Sequence, residues 1–525
     1  MKEFSFPIIE QLVRGLRLDS RGDRRTNFLT ECKNLKPVKV GDGQSGLVPY
    51  ELVTDPFLSG EFSSNSITIS FPFPQVFRGN EVTLLADETS IYTVDESDWS
   101  LTLITTYNAF DRSATLALDS GGGPWQFVDM GDTWFLINTQ NIVWQPNTHA
   151  LTNEPDQVYV NKTNLMNAGV YHRGRIVTGG FSSSNFWNND WLDIFTSWRG
   201  GLSTQIDLPS TDIDSNWILW SSIGGGDFPL WLFYPDRAFL GNIRGSAETG
   251  YTLSKTIITD MVTRNEFGFM PLPWQGTVYT IKPMGKDLIV YGDNGITALV
   301  PTREPVPTYG VQHISSTGIM GRGAVGGDDT QHIFLDNDGY LWRMKGLNPE
   351  RLGYREFFTG YSSNTIISHD SRDDEFYISD ETNSYLLTPV GLGEAKERVT
   401  SLVYKVGVLS GVIEDSGDSE SQVVTDTIDF GSIATIQMVK LSLVASANID
   451  VAIDYRYNDD DAFVRSTFVR VNNQGIAYPL VSASQMRIVV RSSDYINMDL
   501  DEIEYSVKFS DRRFRRSISA SQVTT

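Results

Sequence analysis

At 525 residues the chain is too long for one ordinary domain, and its apolar fraction of 40% and aromatic fraction of 12% exclude a disordered protein. Its one cysteine, Cys32, excludes an intramolecular disulfide and therefore a small, disulfide-stapled secreted domain. The net charge is −23, with +4 in residues 1–40, +3 in residues 511–525 and −30 between them. Because an acidic body repels a polyanion, sequence-specific nucleic-acid binding is not expected.

Residues 1–57 predict an extended N-terminal arm, since Pro and Gly punctuate the stretch NLKPVKVGDGQSGLVPYELVTDPF at 34–57. We expect no signal peptide, because the first residues lack a long apolar core, and no membrane span, because no run of about 18 apolar residues occurs. Basic side chains at the two ends of the chain are candidate docking residues for an acidic partner, although two solvated termini would look the same. These residues are Arg14, Arg17, Arg21, Arg24, Arg25, Arg512, Arg513, Arg515 and Arg516.

Residues 58–400 repeat a pattern of apolar strand, polar turn and apolar strand. Seven segments follow it: 81–94, 133–145, 174–187, 229–240, 287–300, 332–344 and 375–388. The turn residues Gly295, Gly339 and Asn383 are spaced by 44 and 44 residues, which is the length of a four-stranded propeller blade. Further strands precede several of these hairpins, at 277–290, 324–335 and 365–379. The pattern predicts an all-β fold with an irregular β-propeller of about six to seven blades; an irregular array of β-sandwiches is the alternative.

Beyond residue 400 the strands become longer and alternate more strictly. After the charged loop IEDSGDSESQ (413–422), the segment NIDVAIDYRY (448–457) places Ile449, Val451 and Ile453 on one face and Asp450 and Asp454 on the other. The segments at 463–471, 485–491 and 501–509 continue this style. We predict a C-terminal antiparallel β-sandwich over 401–510 and a basic tail over 511–525.

The chain carries no recognisable catalytic or cofactor motif. Its five histidines form no HxH or HxxxH pair, Cys32 has no CxxC partner, and no GxSxG, P-loop or strand–GxGxxG–helix pattern occurs. The Gly-rich stretches at 121–124 and 224–227 lack the lysine and helix of a phosphate cradle, so turns are expected there. We therefore predict a protein that is not an enzyme and that has no cofactor or metal.

Two acidic stretches could hold an ion. In HIFLDNDGYLWRM, Asp336 and Asp338 stand beside Gly339, but Phe334 and Lys345 occupy positions where a calcium loop needs oxygen ligands. The same stretch resembles the Asp-box hairpin of sialidase-type propellers only in Gly339 and Trp342. We interpret it as a tight turn of one blade, and the stretch 458–461 as a solvated turn.

Three stretches together resemble a virion protein family of tailed bacteriophages, the short-tail nozzle proteins of the tail tubular protein B type. They are GLVPYELVTDPF (46–57), HRGRIVTGGFSSSNFW (172–187) and GIMGRGAVGGDDTQHIFLDNDGYLWRM (318–344). The resemblance implies a non-catalytic homohexameric tube in the virion tail, assembled in the host cytoplasm below the portal and adaptor rings. Its partners would be other copies, the adaptor or portal-side ring, tail fibres or other tail proteins, and genomic DNA that passes without sequence-specific binding. Other tail roles, such as a hub or receptor-binding component, and a glycan-binding or glycan-hydrolysing propeller remain the alternatives.

Overall fold

The computed structural model of the chain describes residues 3–8, 29–40, 44–49, 70–97, 100–108, 114–131, 134–145, 158–162, 166–181, 217–222, 267–302, 309–405, 408–415, 420–443, 448–493 and 500–509. These residues form two compact units. The first comprises residues 1–53, 383–398 and 415–525, and the second comprises residues 54–382 and 399–414. The division differs from the predicted boundaries at 57 and 400, because the N-terminal strands belong to the same unit as the C-terminal ones.

Nearly all of the regular secondary structure in the described residues is β-strand. The strands before the repeats are β1 (Glu3–Ile8), β2 (Glu31–Lys33), β3 (Leu35–Val40) and β4 (Gln44–Pro49). The next are β5 (Gln75–Arg78), β6 (Thr83–Ala86), β7 (Ile91–Val94), β8 (Leu101–Leu103), β9 (Thr106–Asn108), β10 (Gln126–Asp129), β11 (Trp134–Ile137), β12 (Ile142–Gln145), β13 (Val158–Asn161), β14 (Met166–His172), β15 (Arg175–Phe181), β16 (Trp217–Ser222) and β17 (Phe267–Pro271).

The chain continues with β18 (Val278–Met284), β19 (Asp287–Gly292), β20 (Ile296–Pro301), β21 (Tyr309–Ser315), β22 (Val325–Gly327), β23 (Gln331–Leu335), β24 (Leu341–Lys345), β25 (Asn348–Gly353), a short helix α1 (Arg355–Phe358), β26 (Ile366–Asp370), β27 (Glu375–Ser379), β28 (Ser384–Leu387), β29 (Leu392–Ala395), β30 (Glu397–Lys405) and β31 (Val408–Asp415). The last strands are β32 (Ser421–Val424), β33 (Ile428–Leu443), β34 (Ile449–Arg456), β35 (Val464–Arg465), β36 (Val469–Arg470), β37 (Ile476–Ala477), β38 (Val481–Ser492) and β39 (Leu500–Phe509). No described helix is long and apolar enough to cross a membrane.

The second unit consists of successive antiparallel strand groups in a propeller-like arrangement. Group one is β5–β8, group two is β10–β13 with β9 added parallel to β13, and groups three, four and five are β14–β17, β18–β21 and β22–β25. Group six contributes β26 and β27, and group seven is the hairpin β30–β31. This architecture confirms the all-β, propeller-type prediction.

The apolar core of the second unit lies between consecutive strand groups. Leu84 and Ile91 of group one pack with Leu136 and Val143 of group two. Groups three and four share a cluster that contains Val177, and groups four and five share one that contains Phe334. Burial of one such side chain stabilises the fold by about 1.5–3 kcal/mol. The sheets therefore pack face to face around a common centre, as in a propeller.

Hydrogen bonds join the last strand group to the first. The hydroxyl of Thr400 in β30 donates to the carbonyl of Pro74 at 2.6 Å, and that of Ser401 donates to the carbonyl of Val76 in β5 at 2.8 Å. Val412 of β31 also packs with Val76 in one buried cluster. These contacts join residues more than 320 positions apart and close the ring of strand groups.

The predicted hairpins are confirmed at β6–β7, β11–β12, β19–β20 and β23–β24. Strands also occupy 375–379 and 384–387. The preceding strands predicted at 277–290, 324–335 and 365–379 form the hairpins β18–β19, β22–β23 and β26–β27. The hairpin predicted at 229–240 and the Gly-rich turn at 224–227 lie outside the described residues.

The hairpin predicted at 174–187 lies only partly within the described residues, which end there at Phe181. Its first part forms strand β15, which pairs with β14 on one side and β16 on the other. The tight turn lies before β15, at Arg173 and Gly174, whose φ angles of 52° and 76° fit a two-residue hairpin loop. Arginine seldom adopts a positive φ, so the sequence did not indicate a turn at Arg173.

The first unit is built on one hydrogen-bonded network of strands, in which β2 and β29 pair parallel and the other pairs named here are antiparallel. Strand β33 pairs with both β38 and β39, and β34 lies on the other side of β38. The N-terminal strand β1 pairs with β39, and β3 pairs with β4. Strands β1, β3 and β4 of the predicted arm are thus part of the C-terminal sheet network. The β-sandwich itself, which requires two sheets packed face to face, stays a prediction.

The C-terminal strand predictions match β34, β38 and β39, but not the segment at 463–471. That segment makes only the two short strands β35 and β36, both paired with β34. Phe463 and Phe468 lie there under arginines of neighbouring strands, including Arg487 at 4.0 Å and Arg491 at 3.8 Å from the ring centres. The guanidinium groups stack on these rings and hold the segment against the sheet, although it forms few backbone hydrogen bonds to a neighbouring strand.

Candidate functional site

A cavity of about 460 Å³ lies at the centre of the second unit. Its wall is formed by the first strand of every group, namely β5, β10, β14, β18, β22, β26 and β30, together with the residues just before some of them. The volume falls in the range of about 300–1,000 Å³ that is typical of small-molecule sites. The cavity is therefore the candidate functional site.

Glutamine side chains connect the inner strands that surround this cavity. The Gln75 carboxamide oxygen accepts from the backbone N–H of Trp125 at 2.7 Å. The Gln126 amide donates to the Ile281 carbonyl at 3.1 Å, and its oxygen accepts from the Gly169 N–H at 3.4 Å. Among the described strands, each inner strand has no neighbouring strand on its cavity side, and these bonds satisfy backbone N–H and C=O groups there.

Two cations line the cavity, and neither has a carboxylate partner among the described residues. Lys282 is on β18, and Arg322 lies just before β22. Arg322 donates from Nε to the Pro124 carbonyl at 3.3 Å and from Nη2 to the Ile137 carbonyl at 2.9 Å, whereas its buried Nη1 has no hydrogen-bond partner there. Burial lowers the pKa of both side chains, that of Arg322 to about 9, so the guanidinium is charged at neutral pH.

Asp328 and His369 also line the cavity, but each has protein partners. The Asp328 carboxylate accepts from the backbone N–H and the hydroxyl of Thr330 at 2.8 and 2.6 Å. Burial raises its pKa, but these hydrogen bonds outweigh burial and the net pKa is lowered. His369 stacks on Phe376 with ring centres 4.2 Å apart, its Nε2 lies 3.5 Å from a carboxylate oxygen of Asp374, and burial lowers its pKa.

Two buried histidines pair with tyrosines between strand groups. His332 Nε2 lies 3.0 Å from the Pro283 carbonyl, and His332 Nδ1 lies 2.8 Å from the Tyr291 hydroxyl. A carbonyl only accepts, so Nε2 carries the proton and Nδ1 accepts from the hydroxyl. Burial, with repulsion from Lys282, lowers the pKa of His332 to about 3. His172 and Tyr309 make a similar pair at 3.1 Å. Both pairs fill polar positions in the core.

Asp336 is committed to its turn. One carboxylate oxygen accepts from the N–H groups of Asp338 and Tyr340 at 2.9 and 2.8 Å, and the other accepts from the Trp342 indole at 2.7 Å. Gly339 in the same turn has φ 80°, which glycine adopts without strain. Protein donors thus occupy both oxygens, and the geometry agrees with the turn interpretation of HIFLDNDGYLWRM.

The other stretches singled out in the sequence are also engaged in turns. Arg456 donates from Nη1 to the carbonyl of Asp459 at 2.8 Å, and the Asn458 amide donates to the Asp461 carboxylate at 2.9 Å. Gly121 and Gly123 both have positive φ, as turn glycines do. The described residues contain no cluster of three or more His, Cys, Asp or Glu side chains suited to a metal ion.

All nine predicted docking arginines lie outside the described residues. Cys32 is buried within the first unit, and burial raises the pKa of its thiol, so it is a structural side chain. Sequence reasoning missed Lys282 and Arg322. The available signal was a lysine inside the apolar strand VYTIKPM and an arginine between two glycines, GRG, and neither pattern is specific.

The strand groups and the central cavity define an all-β protein with a propeller-like unit. No protein-family model and no curated protein matches the chain. Among solved structures, it is similar to PorZ, a bacterial surface component of the type-IX secretion system of Porphyromonas gingivalis, with 10% identity and a TM-score of 0.31. That alignment covers 67% of this chain and 35% of the PorZ chain. It is also similar to the Pan2 WD40 domain of Neurospora crassa, with 7% identity, a TM-score of 0.33, and coverage of 68% and 89%.

Proposed function

We propose that the protein is a structural component of a phage tail, a subunit of an oligomeric nozzle through which DNA leaves the virion. The sequence resemblance at 46–57, 172–187 and 318–344 motivates the proposal, and the propeller-like unit is consistent with it. The proposal includes no catalytic step and no cofactor.

One structural observation supports the docking part of the proposal. Strands β1 and β39 pair antiparallel with Glu3 opposite Lys508 and Ile8 opposite Ile503. The two basic segments of the chain follow Ile8 and Phe509, so both are continuous with this one strand pair. A single sheet of the first unit would present both basic segments to acidic partners, from its two opposite ends.

The size of the cavity bears on the path of the DNA. A volume of 460 Å³ suits a small molecule, whereas one turn of duplex DNA extends about 34 Å along its axis. In the proposed assembly the DNA therefore passes between subunits. The acidic composition of residues 41–510 suits such a lumen, since acidic walls do not grip phosphates.

Electron microscopy of the full-length protein tests the proposal. We expect closed rings, with sixfold symmetry by analogy with the resembled family, either alone or after addition of the adaptor-ring protein of the same phage. Antibody or gold labelling of intact particles should then place the protein at the tail tip below the portal. A protein that stays monomeric with its adaptor, or that is labelled on fibres, would contradict the nozzle role.

The cavity favours a second candidate, a propeller that binds a small ligand such as a glycan. Thr280, Ser368 and Trp125 are among the residues that line the cavity. A glycan array and a hydrolysis assay with the full-length protein would test it. Glycan binding that is lost on replacement of Thr280 would support this function. An array on which no glycan binds would exclude it.

A further inference from the structure

Lys282 and Arg322 place two half-buried basic side chains on the wall of one cavity, in a protein whose net charge is −23. Within the described part of the chain, neither side chain forms an ion pair with a carboxylate. Burial of a cation without a partner is costly, and it lowers the pKa of both side chains here. Two cations on one wall, with the buried Nη1 of Arg322 left without a hydrogen-bond partner in the described residues, point to a negatively charged occupant.

The carboxylate nearest in the wall does not fill this role. Asp328 lines the same cavity, but its Oδ1 accepts from Thr330 and, at 3.2 Å, from the N–H of Gln331. Its Oδ1 is thus committed to its own turn, and among the described residues no ion pair joins Asp328 to Lys282 or Arg322. Asp328 instead interacts electrostatically with His369 of the same wall.

We propose that the central cavity binds a small phosphate-class anion between Lys282 and Arg322. The free Nη1 of Arg322 supplies N–H donors in a fixed plane, while the other two guanidinium nitrogens are anchored to the carbonyls of Pro124 and Ile137. Lys282 adds a mobile point charge, and an arginine with a lysine is a common combination for phosphate oxygens. The anchoring bonds hold the guanidinium in place before an anion arrives.

The size and charge of the site select the class of anion. At 460 Å³ the cavity accommodates inorganic phosphate, pyrophosphate or a phosphorylated sugar, and it excludes duplex DNA. Hydroxyl groups of Thr280 and Ser368 in the same wall offer neutral hydrogen bonds to a ligand larger than phosphate. This inference concerns the second unit alone and does not depend on the nozzle role.

Calorimetric titration of the full-length protein with inorganic phosphate, at constant ionic strength in chloride, tests the site. We expect binding in the wild type and a Kd at least about tenfold higher in Lys282→Met, because a charge-assisted hydrogen bond is lost. Lys345→Met removes an equally charged but exposed lysine of β24 and should bind like the wild type. Arg322→Lys keeps the charge but loses the planar donors, and should also weaken binding.

Thermal unfolding without phosphate supplies an independent readout. Lys282→Met should melt at a higher temperature than Lys345→Met, since it removes a half-buried charge that has no carboxylate partner among the described residues. Addition of phosphate should raise the melting temperature of the wild type more than that of Lys282→Met. Equal phosphate binding by wild type and Lys282→Met, no binding by the wild type, or a lower melting temperature of Lys282→Met without phosphate would overturn the proposal.

Parallel titrations with pyrophosphate and glucose 6-phosphate distinguish the source of the anion. Tighter binding of inorganic phosphate or pyrophosphate would identify a free phosphate site. Tighter binding of the sugar phosphate, with a further loss in Thr280→Val, would identify a phosphorylated small molecule. Ring formation in electron micrographs is scored separately, so the anion site and the assembly role can fail independently.

Discussion

At the scale of single residues, Asp and Asn side chains recur at the turns that follow strands. An Asp or Asn follows the second strand of five strand groups, at Asp87, Asn138, Asp293, Asp336 and Asp380. In four cases its side-chain oxygen accepts from a backbone N–H one to three positions further on, and the Asp293 oxygen accepts from the N–H of Thr277, just before β18. Such side chains stabilise tight turns by replacing backbone acceptors. The acidity of the body thus has a local structural origin at these positions.

Replacement of Asp336 should destabilise the protein. Asp336→Ala leaves the N–H groups of Asp338, Tyr340 and Trp342 without their acceptor, and we expect a loss of about 2–3 kcal/mol in the free energy of unfolding. Asp336→Asn keeps one acceptor oxygen but turns its NH₂ toward the indole, so about half of this loss should remain. Urea denaturation measures both.

Asp338→Ala is the matched control, because the Asp338 side chain is exposed and only its backbone N–H contacts Asp336. It should change the free energy of unfolding by less than about 0.5 kcal/mol. Equal losses in Asp336→Ala and Asp338→Ala would contradict the role of Asp336 as the turn cap.

The buried His332 should make stability depend on pH. Its pKa in the folded protein is about 3, against about 6.5 in the unfolded chain, so between these values the unfolded state binds one proton more. The free energy of unfolding therefore falls as the pH is lowered through this window, by about 1.4 kcal/mol per pH unit well below 6.5. Between pH 7 and pH 5 the loss from His332 should be about 2 kcal/mol.

Urea denaturation at pH 7 and pH 5 measures this contribution. His332→Gln should lose about 2 kcal/mol less than the wild type over the same interval. His313, which is exposed on β21, provides the control, and His313→Gln should retain the pH dependence of the wild type. An unchanged pH dependence in His332→Gln would show that the pKa of His332 is the same in the folded and unfolded states, and would contradict this prediction.

At the scale of elements, glycines allow neighbouring strand groups to approach closely. The stretch GRGAVGG (321–327) runs along the start of group six, and the N–H of Ile367 donates to the Gly323 carbonyl at 2.8 Å. A Cβ atom on Gly323 would lie 2.6 Å from the Thr365 carbonyl oxygen, and one on Gly326 would lie 2.5 Å from the Ile367 carbonyl oxygen. Backbone atoms of a packed strand cannot yield as a flexible side chain would.

Gly323→Ala should consequently cost about 2–4 kcal/mol in the free energy of unfolding, because groups five and six must separate to admit the methyl group. Gly360→Ala is its control, since a Cβ atom there meets no atom within 4 Å. It should be neutral or slightly stabilising, as the unfolded chain loses freedom. Thermal unfolding of both variants decides this, and similar melting temperatures would refute the close packing.

The strand groups could be predicted from sequence only where the signal is local. Alternating apolar residues around an Asx- or Gly-containing turn marked β6–β7, β19–β20 and β23–β24. The contact of Thr400 with Pro74, which closes the ring, has no local pattern because 326 residues separate the partners. The pairing of β1 with β39 also has no local pattern in the sequence, so residues that belong to a sheet were predicted to form an extended arm.

The cavity was not predictable for a related reason. Lys282 and Arg322 are 40 positions apart, and nothing in the sequence around either one indicates the other as a neighbour. Only the closure of the inner strands brings them to one wall. A charged side chain inside an apolar strand indicates an unusual environment, but its partner can be identified only from the fold.

At the scale of the whole molecule, charge is separated between the body and the ends. Residues 41–510 carry −30, and the two end segments carry +4 and +3. Copies of the acidic body repel one another at low ionic strength, within a Debye length of about 10 Å at 0.1 M salt. Attraction between a basic end and an acidic surface of the next copy or of an adaptor ring would offset this repulsion, so assembly should depend on salt and on the ends.

If the protein forms the proposed ring, neutralising the C-terminal tail should weaken its assembly without unfolding the protein. The double variants Arg512→Gln/Arg513→Gln and Arg515→Gln/Arg516→Gln should each shift the equilibrium from rings toward smaller species in light scattering. The matched control is Lys286→Gln/Lys345→Gln, which removes two exposed charges from hairpins of the second unit and should assemble as the wild type does.

Salt titration identifies the cause of such a shift. If the tail acts through charge, raising the salt concentration from 50 to 300 mM should weaken assembly of the wild type and have less effect on the tail variants, which have already lost part of the attraction. Equal salt dependence in the wild type, the tail variants and the control would instead assign the salt effect to the acidic body. In that case the tail would be a solvated terminus, and the sheet of the first unit would have to supply the docking surface by itself.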